Sequence, residues 1–444
     1  MLKISPLLLF IFFLIQIKLI AQINDTTFYS GDYSIKVDSI IITGNEKTDD
    51  FIILNELSFH IGDKVNSKVL EYNRERVYSL GIFTQVKIVP LEVDSVNIVN
   101  IVVRESWYIF PIPFLFVNNN DWGELSYGID LLLQNFRGNN EKIRVHAGFG
   151  YDPNYLISYS NPYISRGENI FFNSNLSFSK IKNKSQIAKT LYGTDFDQKV
   201  SSGNIQIGKR IGLFQKLFLN TGYKVIETPL YVPGISVSGS RIDRVFTLGA
   251  GYIYDTRDLS QFARDGLYFN STLDFNGLSI NNVNYKVFSL DIRKYIKLTN
   301  DLSVKGRIKT RLTFGGTVPY YDYSFLGYED RLRGYYYDKM EGTSSYLASF
   351  ELNYPVVKDF DINLKFIPLL PKSLFSYRVA VYAELYADAG FTKLNGEPFT
   401  FNKLNSGYGA GFTFLILPYS VFRIEYAINN VGRKQWILGI GASF

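Results

Sequence analysis

From Glu105 to Phe444 the chain repeatedly alternates apolar and polar residues in segments of about ten, and a period of two permits extended strands and little else. In Val304-Lys-Gly-Arg-Ile-Lys-Thr-Arg-Leu-Thr-Phe314 one face carries Val304, Gly306, Ile308, Thr310, Leu312 and Phe314, and the other carries Lys305, Arg307, Lys309 and Arg311. Four like charges on one face exclude it from a dry core. Phe246 to Tyr254, Phe269 to Phe275 and Phe422 to Tyr426 alternate in the same way. Ten residues suffice for a tilted strand to cross a bilayer, and about sixteen such segments predict a closed antiparallel barrel. A soluble β-sandwich would alternate too, but closure removes the edges that so many strands would leave. A barrel this wide has a wet or plugged interior.

Composition agrees with a β protein: 16% of the 444 residues are aromatic, only 20% are charged, and 35 are Gly. With no Cys and two distant His, His60 and His146, neither a thiolate nor an imidazole metal site is expected, so no metal and no cofactor. The formal charge of +6 is small and dispersed, which argues against nucleic acid as a partner. No nucleophile with its base is recognisable, Asp255 and Asp258 read as a strand end entering a turn, and the expectation is a protein that is not an enzyme.

Residues 1–21 read as a signal peptide, with Lys3, the apolar run Leu7 to Ile15 and a small residue at Ala21. A linker over 22–32 follows. Residues 33–105 read as one small α/β module, β-α-α-β-β: a strand over 37–43, a helix over 48–57 capped by Thr or Asp, a helix over 67–80 stopped by Gly81, and strands over 83–89 and 96–104. Residues 106–444 form the barrel. Its last segment ends in Gly439, Ala442 and Phe444.

One stretch is not explained by alternation. Arg331-Leu-Arg-Gly-Tyr-Tyr-Tyr-Asp338 lies in a long connection before the twelfth strand. Leu332-Arg333-Gly334-Tyr335, with Phe325-Leu-Gly327 upstream, Glu351-Leu-Asn-Tyr-Pro355 and Tyr386-Ala-Asp-Ala-Gly390 downstream, resembles the sixth-loop motif of the POTRA-plus-barrel superfamily of BamA, TamA and the two-partner-secretion transporters. Asn135-Phe-Arg-Gly138, Asp255-Thr-Arg-Asp258 and the small module's Gly44-Asn45, Gly62-Asp63 and Leu80-Gly-Ile-Phe83 resemble further landmarks of that surface-antigen type. The resemblance implies a mostly β fold: a 16-stranded transmembrane antiparallel β-barrel preceded by one POTRA-like periplasmic domain. It also implies that Arg333 folds into the lumen against Glu351 and Asp388, near Gly390, and that Gly439, Ala442 and Phe444 are read as a C-terminal assembly signal on the final strand.

The implied location is the outer membrane of a Gram-negative bacterium, with that membrane's lipid, unfolded or exported client polypeptides and accessory subunits as partners. The implied activity is insertion or translocation of those clients through a weak seam between about 107–117 and 436–444, with recruitment along the module's edge at Phe83 to Val89. The alternative is a passive anion-preferring channel that uses the row Lys305, Arg307, Lys309 and Arg311.

Overall fold

The computed structural model describes residues 34–117, 122–327, 332–336, 340–364, 374 and 376–444. The expected signal peptide over 1–21, the linker over 22–32, and Arg331, Tyr337 and Asp338 lie outside them.

In the N-terminal module, the Asp49 carboxylate accepts the Phe51 N–H and starts the helix Asp50–Leu54. Asn66 accepts the Val69 N–H and starts the helix Ser67–Tyr78. Both helices are shorter than the pattern predicts. The first is drawn away after Leu54 because the Asn73 amide, on the second helix, accepts the Ser58 N–H. The helices bury Ile52, Ile53, Leu70 and Val77 against a three-stranded sheet ordered Ser39–Thr43, Val96–Glu105, Phe83–Val93, parallel then antiparallel. Phe83–Val93 runs past the expected end and through Pro90, which an edge strand tolerates because no further ladder needs its missing N–H. The two-residue strands Ile35–Lys36 and Lys64–Val65 form an additional ladder.

The second body is a sixteen-stranded antiparallel sheet in which chain neighbours are sheet neighbours throughout, from Ile109–Val117 to Lys434–Ile440. Its eleventh and twelfth strands, Ser303–Gly315 and Ser344–Asn363, are separated by a connection that contains its own hairpin, Ser324–Leu326 with Met340–Gly342. Apolar residues such as Leu176, Leu219, Ile308, Phe350 and Leu385 are exposed on the outer face, while charged and amide side chains line the inner face. Among the described residues the first and last strands share no ladder pairs, so both present free edges. Pro111 and Pro113 further thin the donors of the first.

The module lies across one mouth of the barrel. Asp49 N–H donates to the Gly138 carbonyl at 3.0 Å, and Asn135 donates to Thr48 Oγ1 at 2.8 Å. Arg210 reaches Glu56 at 2.6 Å, Tyr72 reaches the Thr256 carbonyl at 3.2 Å, and Arg378 binds both oxygens of Glu75 at 2.9 and 2.7 Å. One apolar core joins the two bodies, with Ile52, Val77 and Phe83 continuous with Leu259, Phe262, Tyr382, Leu417 and Val421.

Candidate functional site

The connection between the eleventh and twelfth strands turns back into the barrel. Gly334 takes φ +96°, a left-handed conformation that a side chain would strain, and this aims the neighbouring Arg333 at the wall. Leu332 and Tyr335 are buried with Leu326 and Leu347, anchoring the turn on both sides of the arginine, and the Tyr335 hydroxyl meets Asn430 Oδ1. Leu326 also approaches the wall at Gly390, where a Cβ would lie 3.2 Å from it.

Arg333 is 3% exposed. Its Nε and Nη2 donate to the two Asp388 oxygens at 2.7 and 2.8 Å, and its Nη1 donates to Glu351 at 3.2 Å and to Glu425 at 3.0 Å. The guanidinium also lies 3.6 Å from the Tyr386 ring centre. Burying one arginine among three carboxylates would leave excess negative charge, but Lys305 pairs with Glu351 at 3.0 Å and Arg423 with Glu425 at 3.1 Å. Three cations therefore meet three carboxylates directly in one buried cluster, the condition under which buried charge is tolerated, and the neighbouring Glu384 carboxyl is buried beside them, accepting from Thr413 at 2.6 Å. Glu351 projects from the twelfth strand, Asp388 from the thirteenth, Ser376–Lys393, and Glu425 from the fifteenth, Ser420–Asn429.

Glu425 and Arg423 were not among the expected partners. Their alternation with Phe422 and Ile424 showed that they share a face, but register against the remote loop is a tertiary fact. Gly407-Tyr-Gly-Ala-Gly-Phe412, which the sequence presents as inward-facing strand glycines rather than a phosphate loop, lies on the fourteenth strand, Asn405–Leu417. A Cβ at Gly407 would collide with the Arg333 carbonyl, and one at Gly409 would lie 2.6 Å from the Tyr386 hydroxyl. The missing side chain at Gly407 lets the loop backbone press against the wall, and that at Gly409 leaves room for the Tyr386 ring.

Two expectations are corrected. Lys305, Arg307, Lys309 and Arg311 do face the lumen side of their strand, but they are not a row of free cations. Lys305 is taken by Glu351, Arg307 binds Asp291 at 2.7 and 3.0 Å, and Arg311 binds Asp322 at 2.7 Å. Carboxylates on the two neighbouring strands and, for Arg311, in the following connection hold charges that the single strand presents. The final strand, expected to run to Phe444, ends at Ile440. Gly439 is on that strand, but Gly441, at φ +89°, turns Ala442 and Phe444 off it. The tail is held on the inner side: Arg423 Nε donates to the Gly441 carbonyl at 2.9 Å, and the Tyr295 hydroxyl donates to the Phe444 carbonyl at 3.2 Å. Phe444 is buried.

The latch is connected to the module. The turn after the eighth strand, residues 256–265, folds into the mouth, where Ser260 N–H donates to Ser79 Oγ at 2.9 Å. Two residues on, the Phe262 ring lies 3.8 Å from Lys305 Nζ, the same ammonium that pairs with Glu351. Module, turn, wall and loop thus form one contiguous set of contacts.

A sixteen-stranded antiparallel barrel with an arginine-bearing loop folded into its lumen, and with a β-α-α-β-β module across one mouth, defines the POTRA-plus-barrel class. The chain belongs to the Omp85 superfamily: the model of the Omp85 superfamily domain matches residues 135–444, and the POTRA model, described as surface antigen variable number repeat, matches residues 35–106. Barrels of this superfamily are outer-membrane proteins with periplasmic POTRA domains. The fold is similar to that of BamA from Haemophilus ducreyi lacking POTRA domains 1–3, with a TM-score of 0.52 and 17% identity over 91% of this chain and 84% of that one. It is also similar to CdiB from Escherichia coli, with a TM-score of 0.51 and 11% identity over 94% of this chain and 91% of that one. At such identities the likeness is one of fold.

Proposed function

We propose that this protein inserts client polypeptides into the outer membrane of a Gram-negative bacterium, or passes them across it, with the module in the periplasm. The observation that carries the reading is the pair of free edges at Ile109–Val117 and Lys434–Ile440 in an otherwise continuous sheet. An unpaired edge offers backbone N–H and C=O groups to an incoming strand, and at membrane depth a client strand satisfies its own backbone by joining it. Family membership supports the same reading. The module recruits clients or accessory subunits along the free side of Phe83–Val93, the edge of its three-stranded sheet.

The described conformation is the resting one. The module covers the mouth, the turn over 256–265 fills it, and the Arg333 latch holds the loop inside. The alternative of an anion-preferring channel loses its main support, because Lys305, Arg307 and Arg311 of the row are each held by a carboxylate. Depletion of the protein followed by quantitative proteomics of outer-membrane fractions tests the assignment. Other barrel or surface proteins are expected to fall before growth changes; unchanged levels of all of them refute it.

A further inference from the structure

Between the module and the inner wall lies a cavity of about 430 Å³, within the size range of small-molecule sites. Its lining charges do not balance. Arg76 of the module and Arg210 of the wall share the Glu56 carboxylate at 2.7 and 2.6 Å, and Arg257 is matched by Asp255 at 2.8 Å. Lys142 and Lys216 also line the cavity and, among the described residues, have no carboxylate within salt-bridge distance. Five cations thus face two carboxylates, an excess of three positive charges at the joint, with Lys142 and Lys216 themselves open to solvent on the lumen side.

Orphaned polar atoms point the same way. Arg76 Nε and Arg210 Nε are buried donors without an acceptor, and Asn140 Oδ1 is a buried acceptor without a donor. Leaving such groups unmet is costly, so a ligand that meets them gains by it. The wall beside them is a neutral ladder in which Ser160 donates to Asn173 at 2.6 Å and Asn173 to Gln206 at 2.8 Å. Cations with free donors beside amide and hydroxyl groups suit a ligand with an anionic head and a hydroxyl-bearing body.

We propose that the cavity is a binding site for a small phosphate monoester of a polyol, which bridges Arg76 of the module to Arg210, Lys142 and Lys216 of the barrel. Its occupancy strengthens the closure of the mouth, because the anion ties together cations on both bodies. The site stands on this cavity alone and is independent of the client-insertion reading.

Calorimetric titration of the full-length protein in detergent micelles, with glucose 6-phosphate as the probe, tests it. Saturable binding is expected, with none for glucose, and at least a tenfold loss in the K142Q/K216Q double variant. Asn140→Asp, which adds a negative charge at nearly constant shape, is expected to weaken binding as well. Lys189→Gln, on the short helix Gln186–Tyr192 outside the cavity, is expected to leave it unchanged. No saturable binding by the wild type, or equal binding by the double variant, overturns the proposal. Tighter binding of inorganic phosphate than of the sugar phosphate overturns the polyol part.

Discussion

At the scale of single residues, Arg333 organises the lumen. Among the described residues it is the one cation that reaches Asp388, Glu351 and Glu425 together, and its planar fork matches the Asp388 carboxylate with two parallel bonds. Arg333→Ala is expected to destabilise the protein by roughly 3–5 kcal/mol, the usual consequence of stranding a buried partner, measured by denaturant unfolding in micelles. Arg333→Lys keeps the charge but not the fork and is expected to fall between the two. Gly407→Ala tests the close approach from the wall side: it should release the loop, read as new protease cleavage near 332–336, while the strands remain folded. Arg333, Glu351 and Asp388 were legible from motif and parity. Glu425 was not, because nothing local links it to a loop 92 residues away.

At the scale of elements, docking of the module rests on buried ion pairs. Burial alone would push the Glu75 carboxyl up, but Arg378 and Arg74 outweigh it and hold it at about 2. Glu56 is lowered in the same sense: burial opposes, while Arg210 and Arg76 prevail. A carboxyl whose folded pKa lies below its unfolded one stabilises in full above the ordinary carboxylate range and loses that contribution as pH falls through the folded value. Wild type and Glu75→Gln should therefore differ most in unfolding midpoint near neutrality, and the gap should close between about pH 4.5 and 2. Because the native chain has no Cys, Ser79→Cys with Ser260→Cys gives a clean lock between module and turn. Oxidation of this pair is expected to hold the module on the mouth and to block client handling, with restoration by reductant. The helices and strands of the module could be placed from caps and periodicity. Their ends could not, because Asn73 and the barrel contacts decide where each stops.

At the scale of the whole molecule, a lumen plugged by the latch loop predicts little steady conductance. Planar-bilayer recordings should show small, flickering openings, and deletion of the module through residue 105 should enlarge them. A large, steady, anion-selective current from the intact protein would instead favour the pore. Strand number, the identity of the latch loop and the order of the two bodies were all present in the sequence, because alternation, turn residues and short motifs act over a few positions. The pairing of the lumen cations, the inward turn of residues 441–444 and the sealing of the mouth were not. Each depends on which side chains sixteen strands and a separate module bring within hydrogen-bond reach, and that is settled by register and closure of the whole sheet. Lys305 shows the division: alternation alone turns it inward, but only the assembled barrel sets Glu351 and Phe262 against it and makes it part of the connection from module to latch.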